Sequence, residues 1–195
     1  MELVDALAGT TIGATYNQYA GSPLLRERLR TYLADRASAK LLLVGEAAGY
    51  RGARVSGIPF TSERQLTGTG PAEASATIVH RVLDGLGVAA HTVLWNVVPT
   101  HPGTETSNRR PTRKEIEAAR PFLEELAAAR MVVAVGRIAA EALDAPYIRH
   151  PSHGGARAFA EGLREALVAV RFRYNPPPAD AWSSVSDEDL FRQAG

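Results

Sequence analysis

The sequence has no cysteine. That absence excludes disulfide bridges, thiol nucleophiles, cysteine-ligated zinc and ordinary iron–sulfur clusters from whatever the chain does. Long apolar runs are missing too: no stretch approaches the roughly 20 residues that cross a bilayer, and no membrane partner is expected. The opening Met-Glu-Leu-Val-Asp has no basic region ahead of an apolar core, so it does not read as a signal peptide, and the expected location is cytoplasmic. A surplus of one charge is also lacking. The formal net charge is +1, so bulk electrostatics announce no polyanionic partner, and local patches would have to hold one. Arginine far outnumbers lysine, which favours bidentate phosphate contacts over diffuse attraction.

What is present fits one soluble domain. A chain of 195 residues, 45% hydrophobic and 22% charged, is long enough to bury a core without staples. The stretch from Leu41 to Phe60 organises the rest. It starts as an apolar run, the pattern of a strand buried on both faces, and breaks at Gly45 into a loop punctuated by Gly49, Gly52 and Gly57. Glycines there let the backbone turn tightly and approach a ligand closely. The loop carries one carboxylate, Glu46, and ends on an aromatic ring, Phe60, a combination suited to a small planar molecule.

Around it, helices and strands alternate. Residues 1–21 are weakly patterned and read as irregular or a short helix. Ser22-Pro23 starts a helix to about residue 37. A helical region over 62–86 is interrupted near Gly68 to Pro71, and Thr92 to Val98 is a second apolar strand containing Asn96. An amide inside such a run needs partners or a ligand. Thr112 with Glu115 forms a capping box for a helix to about residue 129. Met131 to Val135 is a third strand, residues 137–143 a short helix, Tyr147 to Arg149 a brief fourth strand, and residues 156–172 a closing helix. The expected architecture is a single three-layer α/β domain over residues 1–175, with a four-stranded parallel sheet flanked by helices, followed by a tail over 176–195 with a short helix at 187–193. Ligands of such sheets bind beyond the carboxyl ends of the strands. Glu46, Asn96 and His150 all fall at that edge.

Taken singly, each has an ordinary alternative. Gly-Glu after a strand is usually a turn, a buried amide usually satisfies loop backbone, Phe60 fits plain core, and His150 before Pro151 fits a surface loop. The other histidines, His80, His91, His101 and His153, read as structural or solvated. Arg109, Arg110, Arg113 and Lys114 make the densest basic cluster, while Arg51, Arg54 and Arg64 flank the first loop. These are candidate phosphate contacts or solvated surface.

Three stretches together resemble the uracil-DNA glycosylase superfamily: Gly45-Glu46-Ala47-Ala48-Gly49 with Gly57-Ile58-Pro59-Phe60, then Asn96-Val97-Val98, then His150-Pro151-Ser152. Asn108 to Thr112, Arg120 to Leu123 and Val133 to Gly136 look like its family 4 branch, and Gly57 to Thr61 with Arg64 is similar to family 5. The resemblance implies a glycosylase that hydrolyses deoxyuridine, or another deaminated nucleotide, in DNA. The flipped base would stack on Phe60, be read by Asn96 and by the backbone amide of Ala47, and leave with His150 stabilising its carbonyl. Glu46 would stabilise the sugar cation and orient water. Arg54, Arg109, Arg110 and Ser152 are the implied contacts to DNA. Three departures stand out. Thr100 and Ala119 lie near two cysteine ligands of the family 4 cluster, Ala48 replaces a usual proline, and the minor-groove wedge gives way to His153-Gly154-Gly155, with Arg157 as a substitute. No cofactor and no metal is expected, and the partner is DNA bound by a monomer. The rivals are a non-catalytic reader of DNA or damaged bases on the same fold, and a small-molecule enzyme acting on nucleosides.

Overall fold

The computed structural model describes residues 2–174, with side chains through residue 168; the expected tail and its helix lie outside the described residues. Four strands form one sheet: β1 (Leu41–Ala47), β2 (Thr92–Val98), β3 (Met131–Val135) and β4 (Tyr147–Ile148). Their order is β2-β1-β3-β4, and every pairing is parallel. The central strands are apolar at nearly every position because helices cover the sheet, so neither face needs polar side chains.

Among the described residues eight α-helices surround the sheet, in chain order α1 (Glu2–Gly9), α2 (Pro23–Asp35), α3 (Ala53–Ser56), α4 (Glu63–Thr67), α5 (Ala74–Gly85), α6 (Arg113–Ala127), α7 (Arg137–Ala142) and α8 (Ala156–Tyr174). Local chemistry sets several boundaries. The Ser22 hydroxyl accepts from the Leu25 amide ahead of Pro23, opening α2. Both reciprocal bonds of the Thr112/Glu115 capping box are present at α6. Gly68 adopts φ +76° and closes α4 where the interruption was expected.

The weakly patterned start takes the helical of its two readings: it contains α1, whose Leu3, Val4 and Leu7 are buried. That helix packs against α2, so tertiary burial supplies the stability its pattern lacks. β1 does not break at Gly45 but continues to Ala47, because Gly45 pairs with Asn96 and Ala47 with Val98. The glycine loop also folds a turn of helix, α3, closed by Gly57 at φ +79°.

The sheet order carries the functional consequence. From β1 the chain moves outward to β2, then returns to the other side of β1 to form β3. Loops leaving β1 and β3 therefore diverge, and open α/β sheets hold their ligands in the crevice left at such a point.

Candidate active site

A cavity of about 900 Å³ occupies that crevice. Its walls come from the ends of all four strand–loop units: Glu46 to Arg51 at the end of β1 and beyond it, Asn96 on β2, Val135 to Ile138 at the end of β3 and beyond it, and His150 with Ser152 and His153 after β4. Phe60 and residues 72–75 close another side. Glu46, Ala47, Phe60, Asn96 and His150, assembled from sequence alone, all line this one space.

The ring of Phe60 is held in an unusual way. Its backbone sits at φ +52°, a left-handed conformation that side-chained residues avoid, at a cost of order 1–3 kcal/mol. The turn around it keeps it there. The Ser56 hydroxyl lies 2.6 Å from the Thr61 carbonyl and 3.1 Å from that of Ile58, and the Thr61 hydroxyl meets His80 Nε2 at 3.0 Å. The ring then lies over Gly45, where a Cβ would stand 2.3 Å from Phe60 Cζ and 3.0 Å from Asn96 Oδ1. Only glycine at position 45 lets the aromatic ring and the amide approach the strand together.

Asn96 is 4% exposed, in the middle of an otherwise apolar strand. Backbone pairing of β1 and β2 fixes its Cα, and its side-chain amide makes no hydrogen bond among the described residues. Its amide atoms remain accessible in the cavity, where they offer a ligand one donor group and one acceptor side by side.

His150 packs on Gly136, whose φ of +90° and missing Cβ leave room for the imidazole. Its ring centre lies 6.5 Å from that of Phe60, the planes tilted by 33°. The Ser152 amide donates to His150 Nδ1 at 3.2 Å, and an N–H can only donate, so Nδ1 carries the lone pair. The Ser152 hydroxyl adds a contact at 2.8 Å and itself meets His153 Nδ1 at 3.0 Å. Burial pushes the His150 pKa down, and the nearby charges of His153 and Arg149 act in the same sense. A neutral ring with Nδ1 as acceptor keeps its proton on Nε2, where it can donate.

Glu46, near the end of β1, has its pKa raised by burial, which the positive charge of Arg110 partly opposes. A second carboxylate, Glu73, also lines the cavity, and burial raises its pKa too. It precedes α5 outside every motif, and nothing in the sequence pointed to it.

The expected DNA-contacting residues divide. Ser152 lines the cavity, and so do Arg109 and Arg110, but both arginines already have carboxylate partners. Arg109 forks onto Glu115 at 2.8 and 2.6 Å, and Arg110 meets Glu141 at 2.5 Å. Arg54 belongs to α3 rather than an open loop. It packs over Tyr16 at 5.0 Å and pairs with Glu105, outside the cavity lining. Arg157 pairs with Glu161 along α8 and is not part of the lining. Two other arginines, Arg51 and Arg137, line the cavity without a carboxylate partner among the described residues. Arg51 stood beside the first loop in sequence, whereas Arg137 carried no signal.

His101 is fully buried, not solvated, and ties the two site loops together. Its Nδ1 lies 2.7 Å from the Ala48 carbonyl and its Nε2 2.7 Å from that of Thr104. That anchors Ala48, the residue standing in place of the usual proline. The places near the two cluster cysteines do not fit a cluster here. The Thr100 hydroxyl meets that of Thr15 at 2.6 Å, and Ala119 is wholly buried in the core. Packing and a hydrogen bond occupy that region.

A sequence model of the Uracil DNA glycosylase superfamily matches residues 33–192. None of the curated proteins matches the chain in sequence. Among solved structures, the crystal structure of wild-type Pedobacter heparinus SMUG2 aligns with a TM-score of 0.64 at 13% identity, covering 87% of this chain and 98% of the other. At that identity the likeness establishes a shared fold.

Proposed function

Because the chain belongs to the uracil DNA glycosylase superfamily, we propose that it is a DNA-repair glycosylase, whose cavity receives a nucleotide rotated out of DNA and hydrolyses its N-glycosidic bond, with uracil as the base. The observation that carries this reading is the Asn96 amide, buried in an apolar strand, without a protein partner, beside a strained aromatic ring. Uracil offers that amide a complementary N–H and carbonyl, and the Phe60 ring offers its flat face a platform.

The chemistry follows from the groups in place. As the bond between C1′ and the base nitrogen breaks, its electron pair moves onto the base, and the carbonyl oxygens gain negative charge. Neutral His150 donates its Nε2 proton in a hydrogen bond to one of them without giving it up, in a site already arranged for the charge. The sugar becomes cation-like, and ionised Glu46 stabilises it and accepts a proton from the attacking water. The hydroxyl joins C1′, the proton held by Glu46 returns through solvent to the uracil anion, and the products are free uracil and an abasic site. Arg51 and Arg137, with Ser152, offer donors to the DNA backbone, and one protein copy suffices.

The test is strand scission by alkali after incubation with single- and double-stranded oligonucleotides carrying one uracil. Scission of uracil strands alone is expected. Asn96→Ala removes two base contacts worth about 1.5 kcal/mol each, so kcat/KM is expected to fall roughly 100-fold. No scission from either substrate overturns the reading. Deoxyinosine in the same panel separates uracil from wider deaminated-base specificity.

A further inference from the structure

Glu73 is a carboxylate in the wall of a cavity meant for a polyanion, and none of the roles above uses it. Its side chain forms no hydrogen bond and no ion pair among the described residues. Its position is nevertheless closely defined. A Cβ at Gly49 would stand 2.5 Å from Glu73 Oε1, and one at Gly52 would stand 2.0 Å from Oε2, so the carboxylate occupies space that two glycines leave beside it. Glu73 holds the N-cap position of α5, yet its side chain does not cap the helix. Tyr50 lies between those glycines, also lines the cavity, and has its amide fixed by Asn108 Oδ1 at 2.9 Å.

The chemistry of DNA narrows what such a group can meet. Phosphates carry negative charge and accept hydrogen bonds only, and deoxyribose within a strand offers no hydroxyl. The donors of DNA are therefore the N–H groups of its bases. Thymine and uracil present a single N–H flanked by two carbonyls, which an ionised carboxylate opposes. Adenine and cytosine present one exocyclic amino group. Guanine presents N1–H and the 2-amino group side by side, matching both carboxylate oxygens.

The geometry points to a second subsite. We propose that Glu73, with Tyr50 beside it, binds the base next to the extruded nucleotide and favours guanine there. This rests on the glycosylase reading of the cavity. The seating groups Phe60 and Asn96 converge on Gly45, whereas Glu73 is set against Gly49 and Gly52 further along the loop, so the two functions use separate parts of one wall. Contacts to flanking nucleotides are how base-flipping enzymes acquire sequence context.

The experiment uses the full chain and single-stranded oligonucleotides in which one uracil is flanked, on each side in turn, by each of the four bases. Excision rates and equilibrium binding, by fluorescence anisotropy, are measured in parallel for wild type, Glu73→Gln and Glu73→Ala. Wild type is expected to favour guanine over thymine on one side by about 10-fold, within the range of a bidentate base contact. Both variants are expected to flatten that ranking. A purely structural prop would lower every context equally and leave the ranking intact, which overturns the proposal; so does a wild type indifferent to context. Context-dependent binding without excision would overturn the glycosylase reading and leave the subsite standing. Context-independent excision would do the reverse, and failure to bind any of the oligonucleotides overturns both.

Discussion

Replacing Glu115 by glutamine tests whether Arg109 belongs to the fold before it belongs to any DNA contact. The Glu115 carboxylate is 2% exposed and receives four donors: Arg109 Nη1 at 2.8 Å and Nη2 at 2.6 Å, the Thr112 amide at 2.8 Å and the Ala14 amide at 3.3 Å. It thereby joins the N-terminal segment, the arginine loop and the start of α6. Hydrogen bonding from Arg109, opposed by burial and helped by Thr112, pulls its pKa from 4.5 down to about 2. A carboxyl depressed in the folded state stabilises it above the unfolded pKa and loses that contribution as pH falls toward the folded one. The shift corresponds to about 3 kcal/mol at neutral pH, of which roughly 2 is lost by about pH 3. Urea unfolding followed by circular dichroism, at about pH 6.5 and about pH 3, measures it. Wild type is expected to lose roughly 2 kcal/mol more than Glu115→Gln over that interval, other carboxylates cancelling in the difference. Arg109→Ala, which leaves the buried carboxylate without its main partner, is expected to destabilise by about 3 kcal/mol at neutral pH. Equal acid sensitivity of wild type and Glu115→Gln would refute this account of the network.

Three further outcomes follow from the site. His150→Ala is expected to lower kcat on uracil DNA by roughly 100- to 1,000-fold, with His150→Gln recovering part through its amide donor. The wild-type rate should rise as Glu46, its pKa raised, ionises, and then stay level through the neutral range, since His150 is already neutral there. A descending limb near neutral pH would show instead that the imidazolium form is required. Gly45→Ala places a methyl 2.3 Å from Phe60 Cζ, so the ring must leave the strand. A folded protein with at least 10-fold lower kcat/KM is expected, and an unchanged rate would mean that the Phe60 platform is not used.

Much of this protein was legible before its structure. The second and third strands fall at the expected residues because short β-branched and aromatic runs between glycines and turn residues have few alternatives. The capping box at Thr112 and Glu115 formed as expected because its bonds are local. A rule about parallel sheets placed Glu46, Asn96 and His150 at one edge, and the resemblance to a family added Ala47 and Phe60; all five line the cavity. What the linear chain left open depends on partners distant in sequence. The capping reading of Glu115 gave no sign that Arg109 would fork onto the same carboxylate, which makes that arginine structural as well as site-lining. Arg54 turned toward Tyr16 because the glycine loop folds into α3. Glu73 reached the cavity only because the turn into α5 sets its carboxylate against Gly49 and Gly52, and His101 became a clamp because two loops pass within 2.7 Å of its ring. Periodicity, capping and turn chemistry act over a few residues, so most of the elements and the edge they share were readable from the linear chain. Pairing of buried polar groups acts across the fold, so which charges hold the cavity together and which remain for what enters it emerged with the packing of distant segments.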